Sequence, residues 1–302
     1  MIHTPVLLNE VLDVFKDIKN GTIVDCTLGY AGHTRALLKA NKNIKMICFD
    51  RDIEAINHSK KELLEFRDRV EIYHTNFANM INNIDVSDVR GVLADIGVSS
   101  LHLDKDDRGF SVNSSNLDMR MDKSQNLDAK FVVNNYTFDE LTRVFREYGE
   151  LKDAKNIANE IVKFRQAKEI LTGKELAQII CKKSVRKNSV SKATLVFQAI
   201  RIEVNKELDE LTNLLTSIEN AKFCDTVVAV ISFHSLEDRI VKTKFKEWER
   251  SCICPEFVMK CECTNNHQKG KILTKKPLIA SSEEIKQNLR SKCAKLRAFW
   301  IE

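Results

Sequence analysis

The chain has no apolar run near the roughly 18 residues that a membrane-spanning helix needs, and Met1–Asn9 mixes polar and apolar side chains. We therefore expect no membrane span and no secretory signal, and we predict a cytoplasmic protein whose cysteines stay reduced. A strong charge bias is missing too, because 48 basic and 43 acidic side chains leave a net charge of +5. This balance is compatible with nucleic-acid binding but does not argue for it.

Two nucleotide-binding signatures are missing around the first glycines. Thr22–His33 places a β-type apolar run before Gly29 and a helical pattern after Gly32, which predicts a strand, a tight turn and a helix. The Gly-x-x-Gly spacing differs from the G-x-G-x-x-G dinucleotide pattern, and no Gly-Lys-Ser/Thr follows to hold a triphosphate. A phosphate group is therefore a poor candidate for the ligand of this turn.

Acidic residues accompany the predicted strands. Ile44–Asp50 is a mostly apolar run that ends in a carboxylate, which at a strand tip can accept ribose hydroxyls. Asp25 adds negative charge that favours a cationic ligand, and S-adenosylmethionine carries a sulfonium beside its ribose. The alternative is a βαβ unit whose glycines only turn the chain and whose Asp50 is a solvated strand end.

Further strand-like runs complete the pattern of an open α/β sheet. They are Val70–Phe77, Arg90–Ser100, Thr226–Phe233, Lys271–Thr274 and Lys295–Ile301. Open α/β sheets bind ligands at the carboxyl ends of their strands, so Asp95 should converge with Asp50. Between the strands, Thr137–Ala221 offers helix after helix, which predicts an inserted helical domain.

Blocks of sequence along nearly the whole chain carry a family resemblance. They are HTPVLLNE (3–10), DCTLGYAGHT (25–34), DRD (50–52), DIGVSS (95–100), RGFS (108–111), LDMRMD (117–122), YGE (148–150), FQAIRIEVNKEL (197–208), ISFHSLEDRIVK (231–242), LTKKP (273–277) and KLR (295–297). In these blocks the chain resembles the bacterial ribosomal small-subunit methyltransferase H family. Its members methylate N4 of a cytidine in the decoding region of 16S rRNA.

The resemblance implies an α/β fold with a class I, Rossmann-like, S-adenosylmethionine-dependent methyltransferase core and an inserted all-helical domain. It divides the chain into a first part of the core (1–105), a loop with the helical insert (106–221) and a second part of the core (222–302). The implied cofactor is S-adenosylmethionine, and the implied partner is 16S rRNA in the small ribosomal subunit. The sequence leaves open whether the chain forms a homodimer.

The resemblance also implies which residues contact the cofactor. They are Ala31, Gly32, His33, Asp50, Phe77, Asp95 and His102. Two of them depart from the family pattern, which usually has Gly at position 31 and Gln at position 102. We expect alanine to be tolerated if its φ is negative, whereas His102 puts one polar contact in question. Phe77 taken alone fits equally well as a core aromatic that closes its strand.

Asp95 is the predicted catalytic residue. The N4 lone pair is delocalised into the base, so an acceptor must polarise the amine and receive its proton. Asp95 and the backbone carbonyls after it are the candidates. The Asn/Asp-Pro-Pro-aromatic motif of other amino-methyltransferases is absent, because Asp95 is followed by Ile-Gly-Val.

Six positions are predicted to face the substrate: Arg120, Gln198, Arg201, Asn205, His234 and Ser235. Gln198, Arg201 and Asn205 share one face of a predicted helix, which without the resemblance would be a solvated polar face. His234 follows a strand tip, where a substrate contact competes with a structural role. A basic linker at residues 182–192 fits either RNA phosphates or solvent.

Four cysteines form two C-x-C pairs, Cys252 with Cys254 and Cys261 with Cys263. Thiolates at this density can hold a structural Zn²⁺, although the usual spacing is C-x₂-C or longer. The alternative is a reduced, cysteine-rich loop. Neither interpretation gives these cysteines a part in methyl transfer.

Two other functions stay open at this stage. One is a non-catalytic RNA-binding ribosome assembly factor that keeps a methyltransferase fold. The other is a class I enzyme acting on a protein or a small molecule, which the basic helical insert makes less attractive. Methyl transfer to purified small subunits separates them.

Overall fold

A computed structural model of the chain describes residues 5–75, 84–97, 106–181, 191–254 and 261–302. Its strands are β1 (Gly21–Asp25), β2 (Ile44–Asp50), β3 (Val70–His74), β4 (Val89–Asp95), β5 (Thr226–Ser232), β6 (Gly270–Ile272), β7 (Leu278–Ile279) and β8 (Lys295–Ile301). Its helices are α1 (Leu8–Phe15), α2 (Gly32–Ala40), α3 (Ile53–Glu62), α4 (Ala129–Asn135), α5 (Phe138–Glu147), α6 (Ala154–Ala167), α7 (Gly173–Cys181), α8 (Lys192–Asn205), α9 (Glu207–Asn220), α10 (Ser235–Glu249) and α11 (Ser282–Gln287).

The strands form one sheet in the order β3-β2-β1-β4-β5-β8-β6, and β7 pairs with another stretch of β8. All pairs among β1 to β5 are parallel, whereas β8 is antiparallel to each of its neighbours. Because parallel strands run in the same direction, their carboxyl ends lie at the same edge of the sheet. The predicted α/β, Rossmann-like fold is confirmed: β8 runs opposite to β1–β5, and β6, antiparallel to β8, runs in the same direction as β1–β5.

Helices cover both faces of the central strands, which explains why the sequences of these strands are continuous apolar runs. Ile23 of β1 joins a buried cluster with Val11 of α1. The next residue, Val24, points to the other face and joins a cluster with Leu214 of α9 and Trp248 of α10. The alternation of neighbouring side chains thus divides the core of this part of the chain into two layers.

The chain separates into two compact units, one of Met1–Gly97 with Glu210–Glu302 and one of Val98–Asp209. The second unit is helical, and its apolar cluster includes Phe145 of α5 and Ile200 of α8. The division of the sequence at residues 105/106 and 221/222 stays a prediction.

Capping side chains start two helices of the helical unit. Thr137 Oγ1 accepts from the Glu140 N–H at 3.3 Å, and Glu140 Oε2 accepts from the Thr137 N–H at 2.7 Å. At the start of α7, Thr172 Oγ1 accepts from the Glu175 N–H at 3.1 Å. These bonds satisfy backbone donors that have no partner inside a helix.

Among the described helices, none has both the length and the hydropathy that a membrane crossing needs.

Candidate functional site

The turn between β1 and α2 is held by bonds from neighbouring elements. Gly29 has a φ of +51°, a region that glycine adopts without a side-chain clash. Its N–H donates to Asp50 Oδ2 at 2.7 Å, and its carbonyl accepts from Ser59 Oγ at 2.7 Å. The turn is therefore fastened to the end of β2 and to α3.

Ala31 does not meet the condition of a negative φ under which alanine was expected to be tolerated. Its φ is +62°, so this alanine occupies the left-handed region at the N-cap of α2. That conformation costs an L-residue about 1–2 kcal/mol. Its side chain is buried and joins the cluster around Ile23, which offsets part of the strain.

Gly32 is required by packing within the protein. A Cβ at this position would lie 2.6 Å from Cγ of Pro5, closer than any side chain tolerates. The family resemblance implies that Gly32 contacts the cofactor, and the close approach observed at this residue is to Pro5. Contact of Gly32 with the cofactor stays a prediction.

Three acids occupy the last positions of β1, β2 and β4, and we call this set, Asp25, Asp50 and Asp95, the acidic edge. Asp50 connects two turns, because its Oδ2 accepts from Gly29 and its Oδ1 accepts from the Asp52 N–H at 2.8 Å. A carboxylate offers about four lone-pair directions, so these bonds are compatible with a further hydroxyl donor. The ribose contact stays a prediction.

Asp25 is the innermost acid of the acidic edge. Only 2% of its surface is exposed. Its Oδ2 accepts from Thr34 Oγ1 at 2.6 Å, and its Oδ1 accepts from the Thr27 N–H at 3.1 Å. Burial raises the pKa of this carboxyl, while the Thr34 bond acts in the opposite direction. Thr34 and Thr27 were not predicted, although both lie in the DCTLGYAGHT block.

Asp95 has one polar atom that the described residues leave without a partner. Its N–H donates to Thr27 Oγ1 at 2.7 Å. A quarter of its side chain is exposed, yet Oδ1 is buried and accepts no hydrogen bond from any described residue. Burial raises the pKa of Asp95 to about 6; His33 acts in the opposite direction, and the charges of Asp25 and Glu237 act in the same direction as burial. A ligand that donates to Oδ1 would satisfy this atom.

His33 lies beside Asp95 and is oriented by the backbone. Its Nε2 is 2.8 Å from the Val6 carbonyl oxygen. A carbonyl only accepts, so Nε2 carries a proton and donates to it. Nδ1 then lies 3.8 Å from Asp95 Oδ2. This geometry places an imidazole nitrogen next to the predicted proton acceptor. The two other predicted cofactor contacts, Phe77 and His102, lie outside the described residues.

Two predicted substrate-facing arginines form ion pairs within the helical unit. Arg120 Nε lies 2.7 Å from Asp118 Oδ1, and its Nη2 lies 3.0 Å from Oδ2 of the same carboxylate. Arg201 Nε and Nη2 each lie 2.9 Å from an oxygen of Glu207. Both pairs are bidentate, which fixes the guanidinium planes. Contact of either arginine with the substrate stays a prediction.

The predicted polar face of α8 is also engaged within the helical unit. Asn205 is buried; its Nδ2 donates to the Met119 carbonyl and its Oδ1 accepts from the Met121 N–H, both at 2.8 Å. Gln198 Nε2 donates to the Tyr148 carbonyl at 3.3 Å. Asn205 therefore fastens a loop to α8, and its predicted substrate contact remains untested.

His234 and Ser235 lie at the end of β5, as predicted. His234 caps α10, because its Nδ1 accepts from the Glu237 N–H at 3.4 Å while its Nε2 lies 3.1 Å from Glu237 Oε1. Ser235 is exposed. Both line a groove of about 240 Å³ together with Phe233 and Lys295. The groove gives these two positions access to a ligand, and their contact with the substrate stays a prediction.

The chain matches known proteins over its full length. The sequence model of the MraW methylase family matches residues 1–301. A ribosomal RNA small subunit methyltransferase H from Campylobacter fetus subsp. fetus (strain 82-40) is 58% identical over 300 residues, which cover 99% of this chain and 98% of the relative. The protein of the same name from Campylobacter concisus (strain 13826) is 59% identical over 303 residues, with the same two coverages.

Proposed function

This chain belongs to the MraW methylase family, and from that premise we propose that it transfers a methyl group from S-adenosylmethionine to N4 of a cytidine. The proposed cytidine lies in the decoding region of 16S rRNA in the small ribosomal subunit. The observation that carries the proposal is the acidic edge beside the turn at Gly29. Relatives named ribosomal RNA small subunit methyltransferase H support the choice of an RNA substrate.

The acidic edge fits the charge of the proposed methyl donor. When bound, S-adenosylmethionine supplies an electrophilic methyl group on a positively charged sulfonium. Carboxylates at the ends of adjacent strands attract that charge, and partial burial strengthens the attraction relative to water. In this proposal Asp50, which is bonded to the turn at Gly29, accepts from a ribose hydroxyl.

In the proposed reaction, Asp95 receives the proton that leaves the amine. The lone pair of N4 forms the new bond to carbon while the bond between sulfur and methyl breaks, and one amine proton passes to the carboxylate. A carboxyl with a pKa of about 6 is mostly ionised at pH 7 and is a useful acceptor there. The buried Oδ1, which has no partner among the described residues, supplies the accepting atom.

His33 is the proposed positioning residue for Asp95. Its bond to the Val6 carbonyl holds the ring, so Nδ1 faces Asp95 Oδ2. The target base must leave its stack to reach this site, because a paired and stacked cytidine hides N4. Holding the base and the donor in line then lowers the entropic part of the barrier.

The test is methyl incorporation from labelled donor into small subunits purified from cells that lack the protein. Mass mapping of the rRNA should locate the label on N4 of one cytidine. Asp95→Asn should abolish incorporation, whereas Asp68→Asn, which changes an acid that is 91% exposed, should not. Label on a ribose or on a ring carbon would overturn the N4 assignment. Subunit binding without incorporation would favour the assembly factor.

A further inference from the structure

The two C-x-C pairs come together in space. Cys252 and Cys254 follow the end of α10, and Cys261 and Cys263 precede β6. We call these four residues the cysteine cluster. Their Sγ atoms all lie within 4.8 Å of one another. Interactions between thiols do not explain this cluster, because a thiol is a weak hydrogen-bonding group and a contact with another thiol stabilises a loop only slightly.

The spacing of the sulfurs of Cys252, Cys261 and Cys263 matches three corners of a tetrahedral metal site, and the sulfur of Cys254 lies within 4.8 Å of each of them. Four thiolates at a Zn–S distance of about 2.3 Å place their sulfurs about 3.8 Å apart. In the cysteine cluster, Cys252 lies 3.6 Å from Cys261 and 3.7 Å from Cys263, and Cys261 lies 3.3 Å from Cys263. These separations far exceed the S–S bond of about 2.0 Å in a disulfide.

The backbone around the cysteine cluster is fastened to the elements on either side. The His267 N–H donates to the Ser251 carbonyl at 3.0 Å, and the Lys269 N–H donates to the Trp248 carbonyl at 2.8 Å. The N–H of Glu262 donates to Cys254 Sγ at 3.3 Å. Donors of this kind stabilise the negative charge of a metal-bound thiolate and orient it.

The cysteine cluster lies away from the acidic edge. Thr226 begins β5 and pairs with Ile301 of β8, and Ile301 pairs with Gly270, which begins β6. Asp95, in contrast, pairs with Ile231 near the opposite end of β5. A metal at the cysteine cluster is therefore remote from the predicted methyl-transfer chemistry.

From these observations we propose that the cysteine cluster binds one structural Zn²⁺ ion. The ion links the cysteine pair that follows α10 to the pair that precedes β6, and Ile253 beside the first pair is 64% exposed and contributes little to a core. Small segments of this kind gain their stability from metal–thiolate bonds. Four sulfurs around one point favour a single ion over an iron–sulfur cluster, in which the thiolates bind different irons.

The first test is the metal content of the full chain, expressed with added zinc and purified without chelator. Elemental analysis should find about one zinc per chain in the wild type and none in the double variant Cys252→Ser/Cys254→Ser. Cys224→Ser and Cys293→Ser change exposed cysteines outside the cluster and should keep the metal. Cys254→His should also keep it, because Cys₃His is a common zinc ligand set.

A second test uses only the wild-type protein, so it does not depend on whether a variant folds. X-ray absorption at the zinc edge should show four sulfur ligands at about 2.3 Å. Removal of zinc by a chelator should lower Tm, and added Zn²⁺ should restore it. Metal-free wild-type protein, retention of zinc by the double variant, fewer than three sulfur ligands, or iron in place of zinc would overturn the proposal.

Discussion

At the scale of single residues, the acidic edge combines a favourable environment for a cation with a cost to folding. Asp25 lies close enough to Asp95 for its charge to raise the pKa of Asp95, and burial raises the pKa of both carboxyls. Asp50 instead uses both oxygens to connect backbone turns. The three acids can therefore have different roles: attracting a cationic ligand, accepting a proton and holding backbone turns. Mutations should separate these roles.

Asp50→Ala should weaken S-adenosylmethionine binding by about 1.5–3 kcal/mol, roughly 10- to 150-fold, because it removes a charged acceptor from the ribose and an anchor from Gly29. Calorimetry on the folded variant measures this. Ser59→Ala is the matched control, because it also frees the turn at Gly29 but removes no carboxylate. Equal losses in the two variants would restrict Asp50 to holding the turn, and unchanged affinity would remove it from the site.

Asp95→Asn should stabilise the fold at pH 7 while it abolishes methyl transfer. The folded-state pKa of Asp95, about 6, lies above the unfolded value near 3.9, so the folded state binds this proton more tightly. The contribution of this carboxyl to the free energy of unfolding is therefore fully present below pH 4. It is lost as the pH rises to about 6, which lowers the free energy of unfolding by up to about 3 kcal/mol. The uncharged amide avoids that loss.

Urea unfolding at pH 7 and at pH 4.5 measures the effect of Asp95→Asn. The variant should be more stable by about 1–3 kcal/mol at pH 7 and by much less at pH 4.5. In the wild type, methyl transfer should fall as pH drops through about 6, because the protonated carboxyl cannot accept a proton. A variant that loses stability equally at both pH values would contradict the assigned shift.

At the scale of elements, helix α8 shows that a residue of a polar helix face can be buried. Its apolar face, Phe197, Ile200 and Val204, is buried. Asn205, which lies on the polar face, is buried as well, because the loop at Met119 supplies backbone hydrogen-bond partners for its amide. These partners lie more than 80 positions away in the chain, so the helical pattern could not reveal them.

Asn205→Ala should destabilise the protein by about 2–4 kcal/mol, because it leaves the Met121 N–H and the Met119 carbonyl buried without their partner. Gln198→Ala is the control on the same face; it loses one bond of 3.3 Å at a partly exposed position and should cost less than about 1 kcal/mol. Urea unfolding gives both values. A variant of Asn205 that keeps its stability but loses methyl transfer would indicate a direct substrate role.

At the scale of the whole molecule, the proposed substrate requires more recognition than one pocket supplies. The donor site can select one cofactor and the catalytic pocket one base, so the surrounding RNA must be read by shape and by phosphate contacts. The net charge of +5 is compatible with such contacts, although it identifies no surface. Residues 182–190 of the basic linker lie outside the described residues, and Lys192 at its end pairs with Asp153.

We therefore predict that an assembled small subunit is methylated far more efficiently than a short oligonucleotide that carries the same cytidine. The folded RNA presents its target already constrained, whereas the oligonucleotide must be ordered on binding at a cost in conformational entropy. Initial rates on oligonucleotide, naked 16S rRNA and purified subunits should be compared at matched concentration and salt. Affinity for the donor, measured without RNA, is the control. Equal rates on all three substrates would refute recognition of assembled context.

The sequence by itself determined seven of the eight described strands, the fold class and the family, whereas the two-residue β7 was not predicted. These follow from local periodicity and from motif blocks that can be read along the chain. Thr137 as a helix start is another local property, because its capping partner is three positions away.

Only the tertiary structure decided how the side chains are used. The positive φ of Ala31, the packing of Gly32 on Pro5 and the burial of Asn205 each depend on residues that the local pattern does not contain. The pKa of Asp95 depends on burial and on charges from three other elements, and the cysteine cluster forms only when the chain returns from α10 to β6. Periodicity reports which face of an element is apolar, whereas the environment of one side chain is created by segments distant in sequence.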